Sequence, residues 1–216
     1  MIRNSSLTNI SMRKVRNVLL HTDLQNDFFD DGALGAKGSL QITKNVNDLT
    51  KHATVSTDWI IVFSADKHPE ETEHFNKWPK HCIENTLGSK FHHDVWVPPW
   101  AFRLHKGLGN RDDGYSPFDK NNVRIILPYI ERPLYMPLGL LLHGLEAENL
   151  YGDGLVIHWC LRAGLMDSAK EGFKTYLIKD ASAALENEDP EIDFKEMRDA
   201  GIMITDTASV VGGLVQ

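Results

Sequence analysis

At 216 residues, with 42% hydrophobic and 25% charged side chains, the chain is long enough for one domain with a substantial core and has the make-up of an ordinary soluble protein. A formal charge of −7 and a pI near 5.8 argue against nucleic acid or an anionic membrane as partner, because neither attracts an acidic protein that lacks a strong basic patch. The two cysteines, Cys82 and Cys160, are too few for a disulfide scaffold and fit a reducing compartment, so both are expected as free thiols.

Residues 1–22 contain Arg3, Arg13, Lys14 and Arg16 but no acid, along with several serines. That composition suits an organelle transit peptide, a disordered leader, or a start at Met12; the disordered leader is favoured, over residues 1–16, with the domain occupying 17–216. No apolar run is long enough to span a bilayer and the leader lacks the apolar segment of a secretory signal, so a cytoplasmic protein is expected.

Asn17 to His21 reads as a buried strand that delivers Asp23 at its carboxyl end, the edge where open α/β sheets bind ligands. Gly32, Gly35 and Gly38 mark a flexible turn without the order of a phosphate-binding loop. Ser39 is placed to cap a helix whose apolar positions Leu40, Thr43, Val46, Leu49 and Ala53 recur at helical spacing as far as His52. Trp59 to Phe63 is a second buried strand, and Cys82 to Val97 a surface loop or short helix in which His92 and His93 receive no role. After Pro98 and Pro99, Ala101 to His105 forms a short strand ending in Lys106, which thereby repeats the placement of Asp23. The leucines between Val123 and Leu150, interrupted by prolines, read as broken helix ending at Gly144. Leu150 to Ile157 is a strand, Cys160 opens a helix that runs to Gly172, Thr175 to Ile178 is a strand, Asp193 to Ala200 a helix, and Ile202 to Ile204 the last strand. This alternation predicts a single three-layer α/β/α domain around a mainly parallel sheet.

The chemistry concentrates in two groups. Asp66, His68, His74 and His81 fall where the second strand leaves its sheet, and a carboxylate with several imidazoles suits Zn²⁺, Fe²⁺ or Mn²⁺ better than Ca²⁺ or Mg²⁺. Solvated surface histidines are the plainer alternative. Cys160, at the start of a helix, has its thiolate favoured by the unpaired backbone N–H groups there, although a buried apolar role is the commoner fate of a lone cysteine. With Asp23 to move its proton, Lys106 to offset negative charge and backbone N–H groups at the turn as an oxyanion hole, it becomes a candidate nucleophile.

Asp23-Leu24-Gln25-Asn26-Asp27-Phe28 resembles the opening motif of the isochorismatase-like cysteine hydrolases, with Lys106-Gly107 and the Gly154 to Cys160 turn at matching later points. Asp66-Lys67-His68, His74-Phe75 and Trp78-Pro79-Lys80-His81-Cys82 are similar to the metal motif of the nicotinamidases (pyrazinamidases) within that superfamily. The resemblance covers most of the chain after Asn17. It implies a catalytic triad of Asp23, Lys106 and Cys160, metal ligands Asp66, His68 and His81 with His74 as a further ligand or close neighbour, and zinc as the favoured ion. It further implies ring contacts from Phe28, Trp78 and Tyr115 and oxyanion donors in the backbone of Ile157 and Cys160. The implied reaction converts nicotinamide to nicotinate and ammonia through a cysteine acyl-enzyme; other small-amide hydrolysis, or a non-catalytic metal-binding descendant, are the alternatives. A small aromatic amide is then the expected partner, and a homo-oligomer is compatible with the sequence. Family members carry a small residue, Thr and Asp before the aromatic residue and the nucleophile, in a turn with a cis peptide. Here Leu155, Val156, Ile157 and His158 precede Trp159, so no hydroxyl supports the turn and its form is expected to differ.

Overall fold

A computed structural model describes residues 15–111, 113–129 and 132–213. Most of the expected leader therefore lies outside the described residues. Arg16 is already joined to the fold: its N–H donates to Asp58 O and its carbonyl accepts from Glu148 and Asn149.

Among the described residues, eight strands form one sheet in the order β5-β4-β3-β2-β1-β6-β7-β8. They are β1 (Asn17–Thr22), β2 (Trp59–Asp66), β3 (Phe102–Lys106), β4 (Arg124–Ile126), β5 (Pro133–Leu134), β6 (Asn149–Leu155), β7 (Lys174–Ala183) and β8 (Met203–Thr205). Six strands, β3-β2-β1-β6-β7-β8, run parallel, whereas β4 and β5 add an antiparallel edge. Helices α1 (Ser39–Val55) and α5 (Thr207–Val211) lie on one face, and α2 (Leu138–Gly144), α3 (Arg162–Lys170) and α4 (Pro190–Asp199) on the other.

The strand pattern produces this layering. Along β1, Leu19 packs with Ile42, Val46 and Leu49 of α1, while Val18 and Leu20 join Leu142, Leu161, Leu165 and Met197 on the opposite face. A strand buried on both sides reads as a continuous apolar run, which is why the central strands could be located from sequence. The crossovers leave β1 towards β2 and β3 in one direction and return through β6 to β7 and β8 in the other. The sheet thus reverses its winding between β1 and β6, opening a crevice at their carboxyl ends.

Several expectations need correction. Helix α1 does not use Ser39 as its cap: Asp30 does this work, its carboxylate accepting from Gly38 N at 2.7 Å and Leu40 N at 3.1 Å. Leu40 is exposed and Ile42 takes the core position. The stretch read as broken helix contains β4 and β5 before α2. Their few residues are too short to show an alternating pattern, and Pro133 is tolerated because it sits on the edge. Cys160 lies in a wide π turn, Ile157–Leu161, rather than opening α3. Helix α5 was not anticipated, and α4 begins earlier than expected, at Pro190, with Asp189 capping Glu191 N. Within the loop assigned to the surface, Cys82 is fully buried and His92 stacks on Phe29 with ring centroids 4.0 Å apart.

β1 and β6 approach tightly at Gly154, whose φ is 111° and where an added Cβ would stand 2.1 Å from Thr22 O. Replacing Gly154 by Ala is expected to destabilise the fold by about 3 kcal/mol or more, combining a left-handed backbone with a clash that neither strand can relieve. Denaturant unfolding of the purified variant checks this, and an unchanged midpoint would contradict the tight β1–β6 approach.

Candidate active site and metal centre

Four strand ends meet at the crevice. β1 delivers Asp23, β2 Asp66, β3 Lys106, and β6 leads through Val156 into the turn that holds Cys160. Asp23 has a left-handed backbone (φ 51°), uncommon for a residue other than glycine, and its N–H is held by Ser64 O at 3.1 Å. The Leu155–Val156 peptide is cis, so a cis bond is present in this turn even though no hydroxyl-bearing residue stands there. Val156 O accepts from both Trp159 N and Leu161 N. His158 is engaged elsewhere, its Nδ1 bonded to the buried Asp193 at 3.0 Å.

Lys106 is the centre of the group. Its ammonium is fully buried and lies 2.7 Å from Asp23 Oδ2, 2.5 Å from Asp66 Oδ1 and 3.3 Å from Cys160 Sγ. A buried lysine is stable only when paired, and two carboxylates together with the thiol hold it charged: burial opposes the charge, but these neighbours raise the Lys106 pKa well above its ordinary value. Burial raises Asp23 to about 6, with Lys106 restraining the shift. Burial also acts to raise Asp66, but the Lys106 ammonium and His68 outweigh it and keep that carboxyl well below the usual range. Burial pushes the Cys160 thiol well up, Lys106 opposing. Two carboxylates of like setting therefore titrate far apart, one kept ionised and the other able to exchange a proton near neutrality. Asp23, Asp66 and Cys160 have ligand atoms within 4.8 Å of one another, so Asp23 is within reach of the thiol proton.

The other half of the crevice is a cluster of imidazoles. His68, His74 and His81 are all buried, with nitrogens within 4.8 Å of one another. Each uses Nδ1 in an outer hydrogen bond: His68 with Gly107 O at 3.1 Å, His74 with Asp113 Oδ1 at 3.0 Å, His81 with Pro79 O at 2.7 Å. That pattern places the proton on Nδ1 and leaves Nε2 as the lone-pair donor. His68 Nε2 is fully buried, has no hydrogen-bond partner among the described residues, and stands 3.6 Å from Asp66 Oδ2. An orphaned buried nitrogen facing two more imidazoles and a carboxylate fits a divalent ion of the Zn²⁺, Fe²⁺ or Mn²⁺ type. Gly107 permits this packing: its φ is 67°, and a Cβ there would lie 2.6 Å from the His68 ring.

The structure brings every candidate from the sequence to this crevice. A cavity with about 300 Å³ of empty volume is lined by Phe28, Trp78, Tyr115, Asp66, His74, His81 and Cys160, with Leu34, Val156, Trp159 and Leu185 completing its walls. Trp78 Nε1 donates to Tyr115 OH at 3.0 Å, which fixes both rings. Ile157 belongs to the core on the far face of the sheet, so only its backbone can serve the site. Sequence reasoning missed the supports. Gln25, fully buried, holds the Asp66 backbone on both sides: its Nε2 donates to Asp66 O at 2.8 Å and its Oε1 accepts from Asp66 N at 2.7 Å. Asp27 Oδ2 accepts from Cys82 N at 2.7 Å and so anchors the segment carrying His81. Polar side chains at alternate positions 23, 25 and 27, just beyond an apolar strand, were the available signal. Trp159, Leu34 and Leu185 gave none, because apolar residues beside a pocket look like core.

The isochorismatase domain, as a sequence family, matches residues 17–209. The chain belongs to that family. Among relatives, it is similar to the nicotinamidase of Escherichia coli, 26% identical over 204 residues that cover 85% of this chain and 91% of that one. The nicotinamidase/pyrazinamidase of Mycobacterium tuberculosis is 22% identical over 192 residues, covering 85% and 95% respectively. The crystal structure of the pyrazinamidase of Pyrococcus horikoshii in complex with zinc superposes with a TM-score of 0.75 at 29% identity, covering 88% of this chain and 99% of that one. These matches place the chain on the nicotinamidase/pyrazinamidase branch of the isochorismatase family.

Asp113 orients His74 and is itself held by Lys77 Nζ at 2.8 Å. Replacing Asp113 by Ala is expected to weaken binding of a divalent ion by the imidazole cluster about 10–100-fold, with zinc as the probe. Competition with a chromophoric chelator measures the change, with circular dichroism to show an unaltered fold; unchanged affinity would remove Asp113 from the metal site.

Proposed function

We propose that this protein is a metal-dependent amidohydrolase that converts nicotinamide to nicotinate and ammonia, through a covalent bond to Cys160. The observation that carries the reading is the buried Lys106 ammonium in simultaneous contact with Asp23, Asp66 and Cys160. A structural cysteine needs no such company, whereas a nucleophile that must lose and regain a proton does. The names of the relatives, nicotinamidase and pyrazinamidase, support the choice of substrate.

The ring of the amide enters the aromatic slot between Phe28, Trp78 and Tyr115. A zinc ion on His68, His74, His81 and Asp66 would supply a Lewis-acid position for the pyridine nitrogen and thereby orient the carboxamide over Cys160. Asp23 takes the thiol proton. The sulfur adds to the carboxamide carbon, and the backbone N–H groups of Ile157 and Cys160, at the open start of the wide turn, face the developing oxyanion. Lys106 offsets the negative charge that appears on sulfur and oxygen. Asp23 returns the proton to the leaving nitrogen, ammonia departs, and the same carboxylate then draws a proton from the water that cleaves the thioester. The balance is one amide and one water consumed, one carboxylic acid and one ammonia formed.

The cavity walls also suit a second reading, a related aromatic amide of one ring, because apart from Tyr115 the slot between Phe28, Trp78, Trp159, Leu34 and Leu185 is apolar and measures size more than substitution. On either reading the protein works in the cytoplasm on a freely diffusing substrate.

Ammonia release from nicotinamide tests the proposal. Cys160→Ala is expected to lower kcat by at least about 10³-fold with the fold intact. Removal of metal by a chelator is expected to abolish turnover, with zinc restoring it. Activity that survives the cysteine replacement sinks the covalent mechanism, and activity that survives chelation sinks the metal-anchored substrate.

A further inference from the structure

Beneath the site, a buried polar chain crosses from the sheet to α1. His21 and Asp153 are partners in the β1–β6 register and both are fully buried, with Nδ1 2.7 Å from Oδ1. On the other side of the ring, His21 Nε2 stands 2.9 Å from Thr50 Oγ1. The Thr50 hydroxyl also lies 2.9 Å from Val46 O, so it bridges the imidazole to the α1 backbone. Burial raises the Asp153 carboxyl, with His21 opposing.

Stability alone does not account for the pair. Asp153 Oδ2 is buried with no hydrogen-bond partner among the described residues, and a well-packed apolar pair of similar size would stand there at no greater cost. Placement accounts for it better. The next cross-strand pair is Thr22 with Gly154; Asp23 follows on one side, and Leu155 and Val156 lead to the Cys160 turn on the other. At residue 153 the β6–β7 ladder is interrupted, its register shifting between Gly152 and Gly154 before pairing resumes at Gly154–Ser182 and Leu155–Ala183, whereas the ladder with β1 runs unbroken from Asn149 to Gly154.

We propose that His21, Asp153 and Thr50 form a positioning element for the reaction, fixing β6 against β1 at the register that sets the Cys160 turn onto Asp23 and Lys106. None of the three lines the substrate cavity. The effect therefore falls on the chemical step and not on substrate binding. This inference rests on the amidase reading, so its test carries a second readout that needs no knowledge of the substrate, the rate at which iodoacetamide alkylates Cys160, followed by peptide mass spectrometry to separate it from Cys82.

Three variants are compared, each normalised to folded protein. In Asp153→Ala, His21 Nδ1 loses its partner; kcat for nicotinamide is expected to fall about 10–100-fold with KM within twofold, and Cys160 alkylation to slow about tenfold, the scale expected of an ångström-sized displacement. In Asp153→Asn, the side-chain amide carries both a donor and an acceptor and so can pair with Nδ1 in either tautomer, and both rates are expected to return to within about threefold of the parent. In the double variant His21→Leu, Asp153→Leu, the core is refilled without a directional bond; the fold is expected to persist and both rates to stay low. Parental alkylation and kcat in either the alanine or the double variant overturn the proposal and leave the pair a packing feature. A parent that is alkylated at Cys160 yet releases no ammonia from nicotinamide overturns the substrate reading instead, and the alkylation rates still decide the positioning role.

Discussion

The arrangement depends on one buried cation. Lys106 has no access to water, and an ammonium in such a place persists only where anions surround it closely. It therefore dictates that Asp23 and Asp66 come together, although β1 and β2 each end in an acid that would otherwise repel the other. Once they are gathered, the neighbours of each carboxyl set it apart. Asp66 has Lys106 on one oxygen and His68 near the other, and stays ionised. Asp23 has Lys106 and the hydroxyl of Ser64, and burial raises it towards neutrality. The ion pair thus separates a carboxylate that stays ionised from a carboxyl able to exchange a proton near neutrality.

Asp66 joins the two halves of the crevice. Its Oδ1 belongs to the Lys106 group and its Oδ2 faces the imidazole cluster, so one side chain joins the ammonium and thiol to the imidazoles. A shift of this carboxylate would disturb both. The hold of Gln25 on the Asp66 backbone, from both its N–H and its C=O, is the structural response to that demand. The same segment supplies Asp27 to the loop that carries His81, so the residues just beyond β1 hold both Asp66 and the imidazole cluster in place.

Much of this was legible without coordinates. The central strands are apolar on both faces and could be recognised as buried runs, and the alternation with helices determined a parallel, covered sheet. The acids, lysine, histidines and cysteine at or near strand ends marked the site, since a sheet of this class must bind its ligands at that edge. What was illegible is equally physical. β4 and β5 are too short to carry a pattern, and their pairing is supplied by the edge of β3. The cap of α1 is Asp30, nine residues before Ser39, because the loop folds back on the helix, which local spacing does not reveal. The wide turn at Cys160 depends on contacts between β6 and β1 and between the turn and Asp193, all distant in the chain.

By itself the sequence determined the class of fold, the strands that lead to the site, and the identity of the groups with chemistry to offer, because periodicity and residue type are local properties. The tertiary structure decided which of those groups meet. That Lys106 touches three partners, that His68 keeps an unsatisfied nitrogen, and that His21 faces Asp153 across two strands follow from register and packing between segments more than thirty residues apart. No local pattern records distances of that kind; they are set only when both faces of the sheet are closed and every buried polar group must find its partner.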